Sequence, residues 1–300
     1  MSVTKAFLLG AGLGTRLQPL TNALPKPLIP VFHRPLIHYA LDHCLAAGIR
    51  EFAINTHYLP DKWRDFFPES TYRGASLTFV HEAELLETGG GIKNIEAWIA
   101  GEPLLVYNGD ILAGIQLDKL IGTHLASGRL ATLAVRSHGP ACHLALDGTV
   151  VTDIHHMLGV AEGTHQFAGI YCIDPGLLAR LPANEKVSII PTFLDLARER
   201  ALGASLHDEG PWLDLGTREA YLDAHREAAL GPPIHFEARL DSTAAVEASV
   251  VGPGASIGPD AAVLNSILWP NTEVAAGAQL TNCIVYSSTP VTGIHHNADL

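Results

Sequence analysis

The sequence predicts an α/β protein: a doubly wound, mixed but mainly parallel sheet followed by a short parallel β-helix. Three observations carry this. Apolar strand-like runs alternate with helix-patterned segments from residue 6 to residue 137, as expected of parallel strands joined by crossover helices. The texture then changes at residue 142, where two short runs flank a glycine in the manner of an antiparallel hairpin. Beyond Gly231-Pro232-Pro233, apolar residues return every six positions, the period of a parallel β-helix.

Taken in order, Ala6 to Leu9 reads as a buried strand running into Gly10, Gly12 and Gly14. Pro35 to Ala47 has apolar residues at helical spacing and is closed by Gly48. Glu51 to His57 is a second strand, Pro60 to Phe67 a short helix and Ser76 to Glu82 a third strand. Gly89 to Ile99 opens with glycines and becomes a helix. Pro103 to Asp110 is strongly apolar, so this fourth strand is expected to be covered on both faces. A helix over Asp118 to Ser127 and a strand over Leu130 to Ser137 complete the alternation. CHLALD and TVVTD flank Gly148 as the hairpin, and Phe167 to Asp174 returns as a strand. Ile189 to Arg200 is a helix, Trp212 to Gly216 a short strand, and Thr217 to Leu230 an amphipathic helix with Thr217 as N-cap. The Gly-Pro-Pro break sets the expected domains at 1–231 and 232–300. In the tail, Val251, Ile257 and Val263 keep the six-residue beat; after a step of five it resumes at Leu268, Val274, Leu280 and Tyr286.

The formal charge of −12 argues against a nucleic-acid or anionic-membrane partner. A site for anions in this chain has to be locally basic. No apolar run is long enough to span a bilayer. Four cysteines, at 44, 142, 172 and 283, lie far apart without CxxC spacing and read as reduced, mostly buried thiols. Met1 precedes a polar residue and then the first strand, with no charged-then-apolar leader, so the expectation is cytoplasmic. Sixteen histidines are scattered, and the pairs His155-His156 and His295-His296 read as surface residues.

The glycine turn is the strongest ligand signal. Without Cβ atoms, its amides can close on phosphate oxygens. Arg16 adds a forked set of donors, and Lys26 adds a point charge held between Pro25 and Pro27. Gly10-x-Gly12 after a strand is half of a dinucleotide fingerprint, but Gly14 comes one position early and Thr15 stands where Gly or Ala is wanted. A triphosphate loop is the other reading. Asp110, in Asn108-Gly109-Asp110, falls at the carboxyl end of a central strand, where open α/β sheets bind ligands. A carboxylate there either holds Mg²⁺ against phosphate oxygens or caps the next turn.

GAGLGTRLQPLT followed by PKPLIPV resembles the opening motif of the sugar-1-phosphate nucleotidylyltransferases, and the resemblance runs from Lys5 to Leu230. It implies a Rossmann-like nucleotidyltransferase fold. The implied reaction is attack by a sugar 1-phosphate oxygen on the α-phosphorus of an NTP, with Mg²⁺ as cofactor and pyrophosphate leaving. Such chemistry is mainly positioning and charge neutralisation, and needs no protein nucleophile. Asn108-Gly109-Asp110 resembles the family's metal-binding triplet, and Asp214 in WLDLGT resembles its second metal-binding carboxylate. The implied catalytic set is therefore Arg16, Lys26, Asp110 and Asp214. Nucleotide contacts are implied at Gly10, Ala11, Gly12, Gly14, Thr15, Asn108 and Gly169.

The segment EAELLETGGGI matches the part of the family that cradles base and ribose. Glu82 falls where a base-contacting side chain is expected, Glu87 where many members have Gly, and Gly89 and Gly90 allow close backbone approach. ETGGGI with NGD resembles uridylyltransferases acting on N-acetylmuramate 1-phosphate; guanylyltransferases of mannose or heptose 1-phosphate are close neighbours. UTP with an N-acetylated sugar 1-phosphate is the first expectation, and GTP with mannose or heptose 1-phosphate the second. One departure stands out. Many members grip the sugar phosphate with the Lys of a Glu-Lys-Pro before Gly-Ile-Tyr, yet residues 151–166 hold no Lys ahead of Gly169-Ile170-Tyr171. Arg136, a histidine such as His143, or the metal would have to take that role.

The tail resembles the left-handed β-helix of many nucleotidylyltransferases and some acyltransferases. Its two to three coils are few for an acyltransferase, so it reads as a packing or oligomerisation module through which a homo-oligomer can form. Rival classes are a non-catalytic sensor of NDP-sugar, an acyltransferase and a nicotinamide dehydrogenase. The intact Arg16, Lys26, Asp110 and Asp214 argue against the sensor.

Overall fold

The structure is a computed structural model and describes residues 2–227 and 230–300. It comprises two compact units, Met1–Leu13 with Ile37–Trp212, and Gly14–Leu36 with Leu213–Leu300. Gly14–Leu36 belongs with the tail and not with the strand that precedes it.

The first unit is built on a ten-stranded sheet. Its strands are β1 (Lys5–Leu9), β2 (Glu51–Thr56), β3 (Thr71–Tyr72), β4 (Ala75–His81), β5 (Leu104–Asn108), β6 (Ala131–Arg136), β7 (Leu144–Asp147), β8 (Val150–Ile154), β9 (Gln166–Ile173) and β10 (Leu202–Leu206). Their order across the sheet is β7-β8-β10-β6-β9-β5-β1-β2-β4-β3. β5, β1, β2 and β4 are mutually parallel, and β10 is parallel to β6. β9 lies antiparallel between β5 and β6, so the strand expected over Phe167 to Asp174 forms but runs against its neighbours. The hairpin is present as β7 and β8, antiparallel about Gly148, whose φ of 60° is left-handed.

Helices α1 (Leu36–Ala46), α2 (Pro60–Phe66), α3 (Glu87–Asn94), α4 (Glu96–Ile99), α5 (Leu117–Ser127) and α6 (Ile190–Arg198) accompany the sheet. Alternate residues of each strand face opposite layers. Phe7, Val106, Leu133 and Tyr171 join Ile92 and Phe193 in one buried cluster. On the opposite face, Tyr107 meets His43 of α1, and Thr132 meets His124 of α5. Each buried apolar side chain contributes about 1.5–3 kcal/mol. The helix expected over Gly89 to Ile99 is split at Ile95, whose ψ of 10° lies outside the helical range.

In the second unit, Gly14–Leu36 is a run of tight turns whose helical pieces, Thr15–Leu17, Leu20–Ala23 and Lys26–Leu28, are too short to stand alone. Helix α7 (Arg218–Glu227) begins behind Thr217, whose Oγ1 accepts the Ala220 amide at 3.2 Å. Of the helix expected to Leu230, residues 228 and 229 lie outside the described residues.

The tail is a parallel β-helix. The strands of the first coils pair with ones seventeen residues on, as in Arg239↔Ser256↔Glu273 and Val250↔Ile267↔Ile284, and the last coil shortens to fifteen, with Gln279 opposite Ile294. Seventeen rather than eighteen follows from the five-residue step after Val263. Val251, Ile257, Val263, Leu268, Val274 and Leu280 all point inward and are buried. Tyr286, the next on the beat, instead packs edge-on against Trp269, and its neighbour Val285 takes the inward position. Corners at Ala248, Asn265 and Asn282 adopt left-handed φ of 45–54°, a conformation asparagine tolerates better than most residues.

Candidate active site

The carboxyl edge of the first unit's sheet gathers most of the expected ligand-binding residues. β1 and β5 are neighbours in register, Leu9 opposite Asn108. The Gly10 turn and the Asn108-Gly109-Asp110 turn therefore leave the sheet side by side, and the Gly109 amide bonds the Leu9 carbonyl at 3.1 Å. β2 lies on the other side, with Asn55 opposite Leu9. Asn55 accepts the Gly10 amide at 2.8 Å.

The three glycines are there for different reasons. A Cβ on Gly10 would sit 2.7 Å from the Asn55 carbonyl oxygen and 2.9 Å from the Trp63 ring, so Gly10 is set by packing. Gly14 has a φ of 61°, and a Cβ there would meet Thr21 at 2.8 Å. A Cβ on Gly12 would have nothing within 4 Å. Gly12, with exposed Leu13 and Thr15, is the open part of the turn, whereas Ala11 is buried.

In the segment expected to cradle the base, Glu82 and the glycines turn to the chain itself. Glu82, expected to touch a base, is only 2% exposed. Its Oε1 accepts from Asn55 Nδ2 at 2.8 Å and its Oε2 from the Leu86 amide at 2.9 Å. Both oxygens are engaged by the chain itself, so Glu82 holds Asn55 and the loop to α3 in place behind the edge. Gly89 and Gly90 do permit a close approach, but to the chain's own backbone. A Cβ on Gly90 would lie 2.4 Å from the Glu185 carbonyl oxygen, and one on Gly89 2.9 Å from that of Val187. Glu87 is exposed, faces Lys186 at 3.8 Å and has a φ of 60°. That left-handed conformation explains why glycine suits the position. Gly169 also has a positive φ, 75°, and packs on Asn108, to which a Cβ would come within 3.0 Å.

The cations and the second carboxylate belong to the second unit. Lys26 is 6% exposed, and its Nζ lies 3.6 Å from Asp214 Oδ1. Asp214 keeps 42% of its side chain exposed. Exposed Arg16 passes over Gly216, where a Cβ would fall 2.8 Å from its guanidinium and 2.9 Å from Asp214 Oδ1. Gly216 is what lets Arg16 and Asp214 approach that turn together.

Of the residues offered in place of the missing lysine, Arg136 is buried and donates to the Gly210 carbonyl at 3.1 Å. His143 stacks on His155 at 4.3 Å, and burial lowers its pKa. Asn55 and Gly216 escaped sequence reasoning. The available signals were an amide side chain near the carboxyl end of a strand and a glycine two residues after Asp214.

Asp110 in the first unit and Asp214 in the second each carry a hard carboxylate, the ligand type expected for Mg²⁺. Mg²⁺ is suited by one or two such groups, with phosphates and water completing its octahedron. Among the described residues, no cluster of three or more His, Cys, Asp or Glu side chains forms a metal cage.

A family profile described as Nucleotidyl transferase matches residues 5–144. The chain is 30% identical over 222 residues to the N-acetylmuramate alpha-1-phosphate uridylyltransferase of Neisseria meningitidis serogroup B, covering 71% of this chain and 93% of that protein. The chain belongs to the nucleotidyl transferase family. This family member is also 31% identical over 229 residues to the mannose-1-phosphate guanylyltransferase of Mycobacterium tuberculosis, covering 72% of the chain but only 62% of that relative's length. To a probable mannose-1-phosphate guanylyltransferase of Oryza sativa subsp. japonica it is 29% identical over 272 residues, covering 85% of the chain and 75% of the relative. Its fold resembles that of a UDP-glucose pyrophosphorylase from Acinetobacter baumanii, with a TM-score of 0.62 at 18% identity over 76% of this chain and 95% of that one. Among the described residues, no helix of this family member is long and apolar enough to cross a membrane.

Proposed function

We propose that this chain transfers a nucleotidyl group from an NTP to a sugar 1-phosphate, releasing pyrophosphate. The observation that carries the reading is the adjacency of the Gly10 and Asn108-Gly109-Asp110 turns on neighbouring parallel strands. An open amide turn beside a carboxylate suits a triphosphate with its metal. Gly12 presents backbone free of a Cβ to the phosphates, and Arg16 holds the departing pyrophosphate. Lys26 steadies the reacting phosphates as a buried, fixed charge. Asp110 and Asp214 would hold Mg²⁺, which supplies charge neutralisation between the two anionic substrates. Glu82 contributes by fixing Asn55 and thereby the Gly10 amide.

UTP with an N-acetylated sugar 1-phosphate is the first substrate pair, supported by ETGGGI and NGD and by the Neisseria meningitidis relative. GTP with mannose 1-phosphate is the second, favoured by the Oryza sativa relative, whose match covers 85% of the chain. We assign the reaction to the cytoplasm, where separate, unpaired thiols persist. The tail, 232–300, is a module of its own in this reading and a site for self-association.

The test is pyrophosphate release from UTP, GTP, dTTP, CTP and ATP, each with a panel of sugar 1-phosphates. Release from one preferred pair, abolished by EDTA and restored by Mg²⁺, is expected. Lys26→Ala should lower the rate about ten- to a hundredfold, the worth of one charge-assisted contact. Silence from every pair overturns the reading.

A further inference from the structure

Helix α7 holds the Lys26 segment from one side and the β-helix from the other. Tyr221 is fully buried. Its hydroxyl donates to the Pro30 carbonyl and accepts from Trp269 Nε1 at 3.0 Å. One turn on, His225 Nε2 accepts the Phe32 amide at 2.9 Å, and its Nδ1 donates to the Tyr221 carbonyl at 2.7 Å. Two backbone groups, four and six residues after Lys26, are thus fixed to one helix face. The same helix starts at Arg218, four residues after Asp214. Arg218 in turn donates to Asp299 at 2.7 Å and to the Asn282 carbonyl at 2.6 Å, both in the last coils of the tail.

We propose that Tyr221 is a positioning residue for Lys26, and that the β-helix acts through Trp269 as a brace that keeps Lys26 opposed to Asp214. A lysine stem has four rotatable carbons. Holding the backbones that bear both groups to a common support keeps its ammonium 3.6 Å from the Asp214 carboxylate. Helix α7 is that support, and the tail keeps it from shifting. The tail therefore serves the transfer reaction directly, in addition to any role in association. The brace rests on the reading of Lys26 given above, and its test separates the two.

The test is a mutant cycle with a second, activity-independent readout. Pyrophosphate release is measured on the full chain for wild type, Tyr221→Phe, Lys26→Ala and the double variant. Acylation of Lys26 by a soluble amine-reactive reagent is followed by mass spectrometry in wild type and Tyr221→Phe, with the half-buried Lys62, whose side chain is 44% exposed, as internal reference. The expected result is an about fivefold fall in kcat for Tyr221→Phe that shrinks to less than about twofold once Lys26 is Ala, as coupled residues require. Lys26 should also acylate about threefold faster relative to Lys62. Equal losses in both Lys26 backgrounds with unchanged acylation overturn the brace and leave Tyr221 a fold-stabilising residue. Full activity in Lys26→Ala would overturn the catalytic role of Lys26 instead, and acylation alone then decides the brace. If Tyr221→Phe does not fold, Trp269→Phe replaces it in both readouts with the same expected and overturning results.

Discussion

Gly10 and Gly12 stand two positions apart in one turn, and an added methyl separates their roles. At Gly10 it would collide with the Asn55 carbonyl and the Trp63 ring; at Gly12 it would enter open space. Gly10→Ala should cost about 1–3 kcal/mol in urea unfolding, the usual penalty of overpacking. Gly12→Ala should leave stability within about 0.5 kcal/mol of wild type, yet raise the KM for the NTP about tenfold by obstructing one amide-phosphate contact. A stable Gly12→Ala with unchanged KM would remove the phosphate from that turn. The glycine spacing was legible because backbone demands leave a mark on local sequence. The state of Glu82 was not, since its burial depends on Asn55, 27 residues earlier, and on a loop amide that only the folded chain brings to it.

Helix α7 carries a titratable group whose state is set by packing. Burial drives the His225 imidazole down to about 4, outweighing its hydrogen bond to the Tyr221 carbonyl. The ring is neutral in the fold, and Nε2 is the acceptor for Phe32. The unfolded chain takes up a proton near pH 6.5 that the folded chain refuses until about 4. Stability is therefore complete above pH 6.5 and declines as pH falls toward 4, by up to about 1.4 kcal/mol per unit for this one group. His225→Gln, whose amide oxygen can still accept from Phe32, should flatten the slope of unfolding free energy between pH 6.5 and 4 by about one proton. An unchanged slope would exclude His225 as the titrating group. Long, patterned elements such as α1 and β5 could be read from residues alone. β10 could not, because Leu202–Leu206 (LGASL) contains Gly, Ala and Ser, with little strand propensity of their own. The direction of β9 was equally hidden: a strand's neighbours are chosen by distant segments, and GIY reads the same whichever way the chain runs.

Across the whole molecule, charge and thiols follow the composition. A chain of net charge −12 keeps Lys26 buried against the Asp214 carboxylate and places exposed Arg16 at the same Gly216 turn. Cys44, Cys172 and Cys283 are buried and Cys142 is exposed. Burial raises the Cys44 and Cys172 pKa values well above the usual thiol range. Native protein should give one fast equivalent with Ellman's reagent and four after guanidinium unfolding, one per cysteine. A second fast thiol would mean that one of the three buried sites opens. The break at Gly231-Pro232-Pro233 was visible, but the company kept by Gly14–Leu36 was not. Its partners, Tyr221 and His225, come about two hundred residues later, beyond the reach of any local pattern.

The seventeen-residue coil also limits how such a tail can change over time. Ser249, Ser266 and Cys283 form a vertical ladder, in which the Ser249 hydroxyl accepts the Ser266 amide and the Ser266 hydroxyl accepts the Cys283 amide. Gaining or losing one whole coil would preserve that stacking and return the chain to the same compass point. A residue inserted within a strand, away from a corner, would turn the side chains after it in that strand to the other face. Lineages bearing this appendage should differ in its height by complete storeys rather than by odd residues, with Trp269 and Asp299 kept level with the helix they grip.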